Sequence, residues 1–308
     1  MPNHPPPVLI AGSGAMACLF GARLAPFASV TLLGTWAEGL AALQRDGIRL
    51  EAGGAETRHP VGVTSDPFDC RDARFALVLV KSWQSQRTAG MLAECLAQDG
   101  VALTLQNGLG NLEALQQSLG AERSALGVTT SGATLLGPGH VRVGGTGPTH
   151  LARHDRLDPY LPLLRQAGFQ VEVEDDVESL LWGKLAVNAA INPLTALLRV
   201  TNGALLEDPN AQSLMGVAAR ETAAVAAASG VSLPYPDPAA QAEEVARRTG
   251  ANRSSMLQDI LRGAPTEIDA INGAVAGEGD RLGLATPVNR TLWRLVRASV
   301  AAGARAPA

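Results

Sequence analysis

Two textures divide the chain. From residue 8 to about 175, short β-rich apolar runs alternate with stretches of helical spacing. The runs at 8–11, 30–33, 75–80, 101–105 and 169–173 predict strands, and 15–24, 85–96 and 109–119 predict helices. That alternation is the pattern of a parallel sheet wrapped by helices, because parallel strands need crossover connections that cover both faces. Between about 123 and 151 the texture changes to Thr, Gly and Val alternation, which predicts antiparallel strands added to that sheet. After Asp176 the β signal stops, and Ala- and Leu-rich stretches of helical spacing run to about Ala302. Breaks are expected at Asn192-Pro193, at Asp208-Pro209 and between Pro234 and Pro238. The fold class is therefore α/β, with a first domain over 1–175 and an all-helical domain over 176–308. The ends, MPNHPPP and AGARAPA, read as disordered.

The first predicted strand runs into Gly12-Ser13-Gly14-Ala15-Met16-Ala17, a GxGxxA turn that opens a helix. Gly12 permits the tight turn, Gly14 lets a pyrophosphate approach the backbone, and Ala17 sits where helix and strand pack closely. Free amides at the helix N-terminus then face the phosphates. This assigns residues 1–175 to dinucleotide binding. The residue closing the second strand usually selects the cofactor, an acid for the ribose diol of NAD or a nearby arginine for the 2'-phosphate of NADP. Gly34 stands there and supplies neither, leaving backbone, Thr35 or Lys81 for that end. Lys81 ends the strand FALVLVK and Asn107 ends the next, both at the carboxyl edge where ligands of open α/β sheets gather. A solvated lysine and a plain Asn-Gly turn are the alternatives at these two positions.

The helical half carries a polar stripe. In SLLWGKLAVNAAINPLTALL, Lys184, Asn188 and Asn192 recur at four-residue steps and so share one helical face, provided the helix runs on to Asn192. Burying a lysine among Leu, Trp and Val is costly and lowers its pKa towards neutrality, which suits a general acid. The alternative is a lysine that reaches water from a packed helix. Further on, Asn252, Ser254 and Ser255 precede one helix and Glu267 begins the next. Helix capping explains these residues, and so does a site in which Glu267 meets Lys184 while Asn252 and Ser255 receive a substrate carboxylate.

Composition adds exclusions. A chain of 308 residues with 46% hydrophobic content can bury two cores, and a net charge of −4 offers no basic face to nucleic acid. The three cysteines, Cys18, Cys70 and Cys95, show no CxxC spacing, so no disulfide framework or zinc site is expected and a reducing cytoplasm fits best. The apolar start lacks a preceding basic segment and is interrupted by glycine, so no export signal or membrane span is expected. His4, His59, His140, His150 and His154 are scattered and read as surface residues, with no metal site.

The motifs GSGAMA, VKSWQ, QNGLG, WGKLAVNAAINPLTAL, SSMLQDI and PTEIDAING together resemble the 2-dehydropantoate 2-reductase (ketopantoate reductase) family over nearly the whole length. The resemblance implies a Rossmann domain followed by a helical domain similar to that of 6-phosphogluconate dehydrogenase. It implies Lys184 as catalytic acid, Glu267 as its partner, and Asn188, Asn192, Asn252 and Ser255 as substrate contacts. Asn107 would touch the nicotinamide-side ribose, and Lys81 would serve the adenosine end of NADPH. The chain departs from the family pattern at Gly34, where Arg is usual, and at Ser131, where His is frequent.

The expected activity is cytoplasmic, NADPH-dependent reduction of a small-molecule 2-oxo acid, 2-dehydropantoate, to (R)-pantoate for pantothenate and coenzyme A synthesis. One alternative is a reductase of the same fold acting on another small 2-oxo acid. A second is a non-catalytic dinucleotide-binding regulator, against which the polar stripe on an apolar helix argues. The exposed faces of the helical half could support a homodimer.

Overall fold

The computed structural model describes residues 5–303, so His4 and the outermost parts of both ends lie outside the described residues. The chain divides into two compact units. One holds the residues up to Gln106 together with Asn111–Val177, and the other holds Asn107–Gly110 together with the chain from Glu178.

Among the described residues the first unit contains twelve strands: β1 (Pro7–Ala11), β2 (Ser29–Leu33), β3 (Ile48–Ala52), β4 (Ala55–His59), β5 (Gly62–Thr64), β6 (Ala73–Val78), β7 (Leu96–Thr104), β8 (Ser124–Thr129), β9 (Gly132–Gly137), β10 (His140–Gly145), β11 (Thr149–Ala152) and β12 (Val171–Glu174). Its helices are α1 (Ala15–Leu24), α2 (Ala37–Asp46), α3 (Ser85–Cys95), α4 (Asn111–Leu119) and α5 (Leu161–Gln166). Eight strands form one sheet in the order β12-β11-β8-β7-β6-β1-β2-β5. The six strands from β5 to β8 are parallel, in the order of a dinucleotide-binding sheet, and the strand order reverses between β1 and β6. Pro6 and Pro7 depart from the disorder expected of the head: Pro7 opens β1, and Ser29 N donates to Pro6 O at 3.0 Å. At the other end, Ala302 belongs to a helix and not to a loose tail.

The strands expected between about 123 and 151 do not all join the main sheet. β8 pairs parallel with β7, and β11 pairs antiparallel with β8, but β9 and β10 leave for a second sheet ordered β4-β3-β10-β9. In that sheet β10 lies parallel to β3, and Arg49, Arg58 and Arg142 sit among Glu51, Glu56 and His140. The second sheet covers α1, which packs against β3, β9 and β10 as well as β1 and β2. A helix enclosed in this way must be apolar around most of its circumference, and Ala17, Cys18, Leu19, Phe20, Ala22 and Leu24 are all buried.

The second unit is helical: α6 (Val177–Leu198), α7 (Pro209–Ala228), α8 (Pro238–Arg248), α9 (Ser255–Leu261), a π-helical turn (Asp269–Gly273), α10 (Ala274–Leu282) and α11 (Pro287–Gly303). Pro209 and Pro238 each stand at a helix start behind an aspartate cap, Asp208 and Asp237. Pro193, in contrast, does not break α6. A proline there removes the amide that would bond the Ala189 carbonyl, and the Asn272 side chain supplies the missing donor, with Nδ2 at 2.9 Å from Ala189 O. Trp182, Leu185, Ala189 and Ala196 of α6 enter one apolar cluster, and Ala190, Ile191 and Leu194 enter another. No helix among the described residues is long and apolar enough to cross a membrane.

Candidate active site

In the first unit the candidate dinucleotide loop is built from β1, its turn and α1. Gly12 has φ +133°, and a Cβ there would stand 3.1 Å from the Leu79 carbonyl carbon and oxygen, just beyond β6. Only glycine fits that conformation beside that backbone. Gly14 differs, since a Cβ added to it would meet nothing within 4 Å. The space above it is open to a ligand, and among the described residues no side chain caps the N-terminus of α1. Ser13 and Ala17 are buried, while Ala15 and Met16 are partly exposed. An open glycine at an uncapped helix N-terminus, placed where the strand order reverses, fits a pyrophosphate.

Gly34, after β2, is crowded: a Cβ there would lie 3.1 Å from Ser13 Oγ and 3.3 Å from Leu40 Cδ2. The end of β2 therefore abuts the glycine loop, and Thr35 is exposed beyond it. Lys81 does not end the strand as expected: β6 stops at Val78, and Lys81, partly buried, stands three residues beyond it at the start of a short turn, Ser82–Gln84. The neighbouring strand ends are tied by a buried network that spacing along the chain does not reveal. Gln106 Nε2 donates to Val80 O at 3.0 Å and to Ser85 Oγ at 2.8 Å, and Ser85 Oγ donates to Asn111 Oδ1 at 2.7 Å. Ser131 is buried, with its hydroxyl donating to Gly147 O at 3.0 Å.

In the second unit α6 carries Lys184, Asn188 and Asn192 on one face. The first two are partly buried and Asn192 is buried. Burial depresses the Lys184 ammonium and the Glu267 carboxylate partly opposes that shift, leaving it lowered from 10.5 to about 8. Glu267 is 5% exposed and stands just before the π-turn, not at the head of an α-helix. Its backbone carbonyl accepts from Ala270 N and Ile271 N, each at 3.1 Å. Asn107 Nδ2 lies 3.4 Å from Glu267 Oε2. The Asn107–Gly110 segment packs on the π-turn: Leu109 N donates to Ala270 O at 2.9 Å, and a Cβ on Gly108 would strike that same oxygen at 2.4 Å.

The second unit thus brings Lys184, Glu267 and Asn107 together in one electrostatic group. Asn252 and Ser255 are exposed at the start of α9, and neither hydrogen-bonds to that group. The serine that faces inward is Ser254, which caps α9 through Leu257 N at 3.1 Å and accepts from Thr195 Oγ1 at 2.7 Å. Two features have no signature in the sequence pattern, the π-turn and the buried pair Asn272 and Asn289 behind it. Strand pairing also assembles His150, Glu172 and Glu174, which spacing alone does not join.

Two family models match the chain in tandem, ketopantoate reductase PanE/ApbA over residues 8–156 and its C-terminal counterpart over 176–300. The 2-dehydropantoate 2-reductase of Archaeoglobus fulgidus is 38% identical over 296 residues, which cover 94% of this chain and 96% of the relative. A PanE/ApbA family ketopantoate reductase from Ralstonia eutropha JMP134 superposes with a TM-score of 0.90 at 33% identity, over 97% of this chain and 99% of that one. D-mandelate dehydrogenase in its ternary structure with NADH and anilino(oxo)acetate gives a TM-score of 0.91 at 27% identity, with coverage of 97% and 99%. Matched along both units by the family models, and by a near-full-length relative, this chain belongs to the ketopantoate reductase PanE/ApbA family of oxidoreductases.

Proposed function

We propose that this protein reduces 2-dehydropantoate to (R)-pantoate with NADPH, using Lys184 as general acid. The observation that carries the reading is the Lys184 ammonium, partly buried on an apolar helix, lowered to about 8 and supported by Glu267. A reduced nicotinamide, when bound, supplies a hydride to the ketone carbon. Negative charge then grows on the ketone oxygen, and the group that answers it must hold a proton at neutral pH and release it readily. An ordinary lysine releases its proton reluctantly, whereas one near 8 is matched to that task. Glu267 keeps Lys184 charged until the proton is needed and orients its Nζ. Asn188 and Asn192, on the same face of α6, present amides to the substrate's oxygens. Asn252 and Ser255 are assigned to the carboxylate end. The loop Gly12 to Ala17 would hold the pyrophosphate, with Asn107 on the nicotinamide-side ribose and Lys81 as the cation for the adenosine end.

Lys184→Ala should lower kcat by about 10²–10⁴-fold, the usual worth of a positioned acid, while NADPH still binds in a direct titration. A variant with near-normal turnover removes Lys184 from the mechanism. A second reading, another small 2-oxo acid as substrate, is favoured by the likeness to D-mandelate dehydrogenase and by Ser131. Assays of NADPH and NADH oxidation with 2-dehydropantoate and with a panel of aryl and alkyl 2-oxo acids separate the two readings and fix the cofactor.

A further inference from the structure

Asn272 is fully buried, and its side chain makes a specific set of contacts. Nδ2 donates to Ala189 O of α6 at 2.9 Å and to Asn289 Oδ1 of α11 at 2.9 Å. Asn289 Nδ2 in turn donates to Ala218 O of α7 at 3.0 Å and to Glu221 Oε2 at 2.9 Å. The Glu221 carboxylate also accepts from the amides of Val288 and Asn289, and so caps α11. Both of Asn272's acceptors require a donor, so the amide cannot be turned over. Its Oδ1 is left buried without a hydrogen-bond partner among the described residues. A core that keeps a half-satisfied amide has a use for the donors beyond packing.

The geometry points to that use. Ala189 is the α6 residue whose carbonyl Pro193 leaves without an amide, and it lies on the helix that carries Lys184, Asn188 and Asn192. Asn272 lies in the π-turn, five residues after Glu267. Gly273 N bonds back to Ile268 O at 2.9 Å, and Ile271 N bonds back to Glu267 O, so the turn is continuous between the two side chains. Trp293 braces it from outside, with Nε1 at 2.6 Å from Asp269 Oδ1 and the indole lying over Gly273. Insertions of this π kind recur at functional sites because they re-aim a side chain.

We infer that Asn272 is a positioning residue, which fixes the turn bearing Glu267 against the helix bearing Lys184 and so sets the distance between carboxylate and ammonium. Pro193 belongs to the device, because it opens the carbonyl that Asn272 grips. The assignment of chemistry to the pair rests on the function proposed above, but the positioning can be read without turnover.

The chain contains two lysines, Lys81 and Lys184, so ¹³C-lysine labelling gives two titration curves, and Lys81→Arg assigns them. The variants are Pro193→Ala, Asn272→Ala and the double variant. Pro193→Ala returns a backbone N–H to the Ala189 carbonyl, so the double variant restores that bond without restoring the tie to the π-turn. Asn272→Ala alone should lose thermal stability, and the double variant should recover the part owed to the Ala189 carbonyl but not the part owed to Asn289 Oδ1. In the folded double variant the Lys184 midpoint should nevertheless fall by half a unit or more relative to Pro193→Ala, because Glu267 is the ionisable group that raises it. Its kcat should fall at least ten-fold, with NADPH affinity within two-fold. If Asn272 merely satisfies a carbonyl, the double variant returns to the midpoint and kcat of Pro193→Ala, and the inference is overturned. If the midpoint moves but even the parent protein reduces no 2-oxo acid, the functional reading fails and the positioning stands.

Discussion

Lysine is rare in this chain. It occurs twice, against 23 arginines, and both copies stand at positions singled out for chemistry. Arginine stays charged in any protein environment, whereas a lysine ammonium can be brought into the physiological range by burial. For Lys184 the sign of the pH effect follows directly. In the proposed mechanism the reactive form is the protonated one, and burial, opposed by Glu267, leaves its midpoint lowered to about 8. Plots of log kcat/KM for ketone reduction should therefore be flat below that value and fall as pH rises through it. Glu267→Gln removes the opposing charge, so the descending limb should move to lower pH. A limb that stays in place, or one near 10.5, would show that a different group donates the proton. Much of this residue-scale picture was accessible to spacing, since three polar side chains at four-residue intervals in an apolar helix stand out. The inward role of Ser254 was not, because Ser254 and Ser255 are chemically alike and only the start of α9 decides which of them turns inward.

At the scale of elements, the glycine loop gives a sharper test than the loss of the whole motif. Gly12 sits at positive φ against the backbone of Leu79, so Gly12→Ala strains the turn and pushes β1 from β6, and the melting temperature should drop. Gly14 has an ordinary φ of −85° and open space where its side chain would go. Gly14→Ala should melt within a degree or two of the parent yet bind NADPH at least ten-fold more weakly, because the added methyl would occupy the proposed phosphate approach. Equal binding by the two proteins would place the pyrophosphate elsewhere. The strands and helices flanking this loop were legible as apolar runs because each is buried on both sides. The second sheet was not. Its β10 pairs with β3 from about ninety positions away, between His140 and Arg49 among others, and no local periodicity encodes such a pairing. Pro193 misleads for a similar reason, since the donor that compensates for it arrives from Asn272.

At the scale of the whole molecule, the two textures of the sequence correspond to separate apolar clusters, two within the first unit and two within the second. All three cysteines fall in the first unit, and all are buried, which makes thiol reactivity a probe of that unit alone. Cys18 is the most informative. It lies one turn into α1, fully buried, with Sγ 3.7 Å from Ser13 O, and burial pushes its thiol up to about 12. An alkylating reagent near pH 8 meets neither an accessible sulfur nor a thiolate until α1 opens from its two sheets. If dinucleotide binds at the N-terminus of α1 as proposed, it must be released before that opening. Binding at 100 times Kd adds about 2.7 kcal/mol to the closed form, so alkylation of Cys18, followed by peptide mass spectrometry, should slow about 100-fold with NADPH at that level. Cys70 and Cys95 should slow as well where their exposure needs the same opening, and less where a local fluctuation suffices. A Cys18 rate indifferent to NADPH would mean that the nucleotide is held somewhere other than the turn from Gly12 to Ala17.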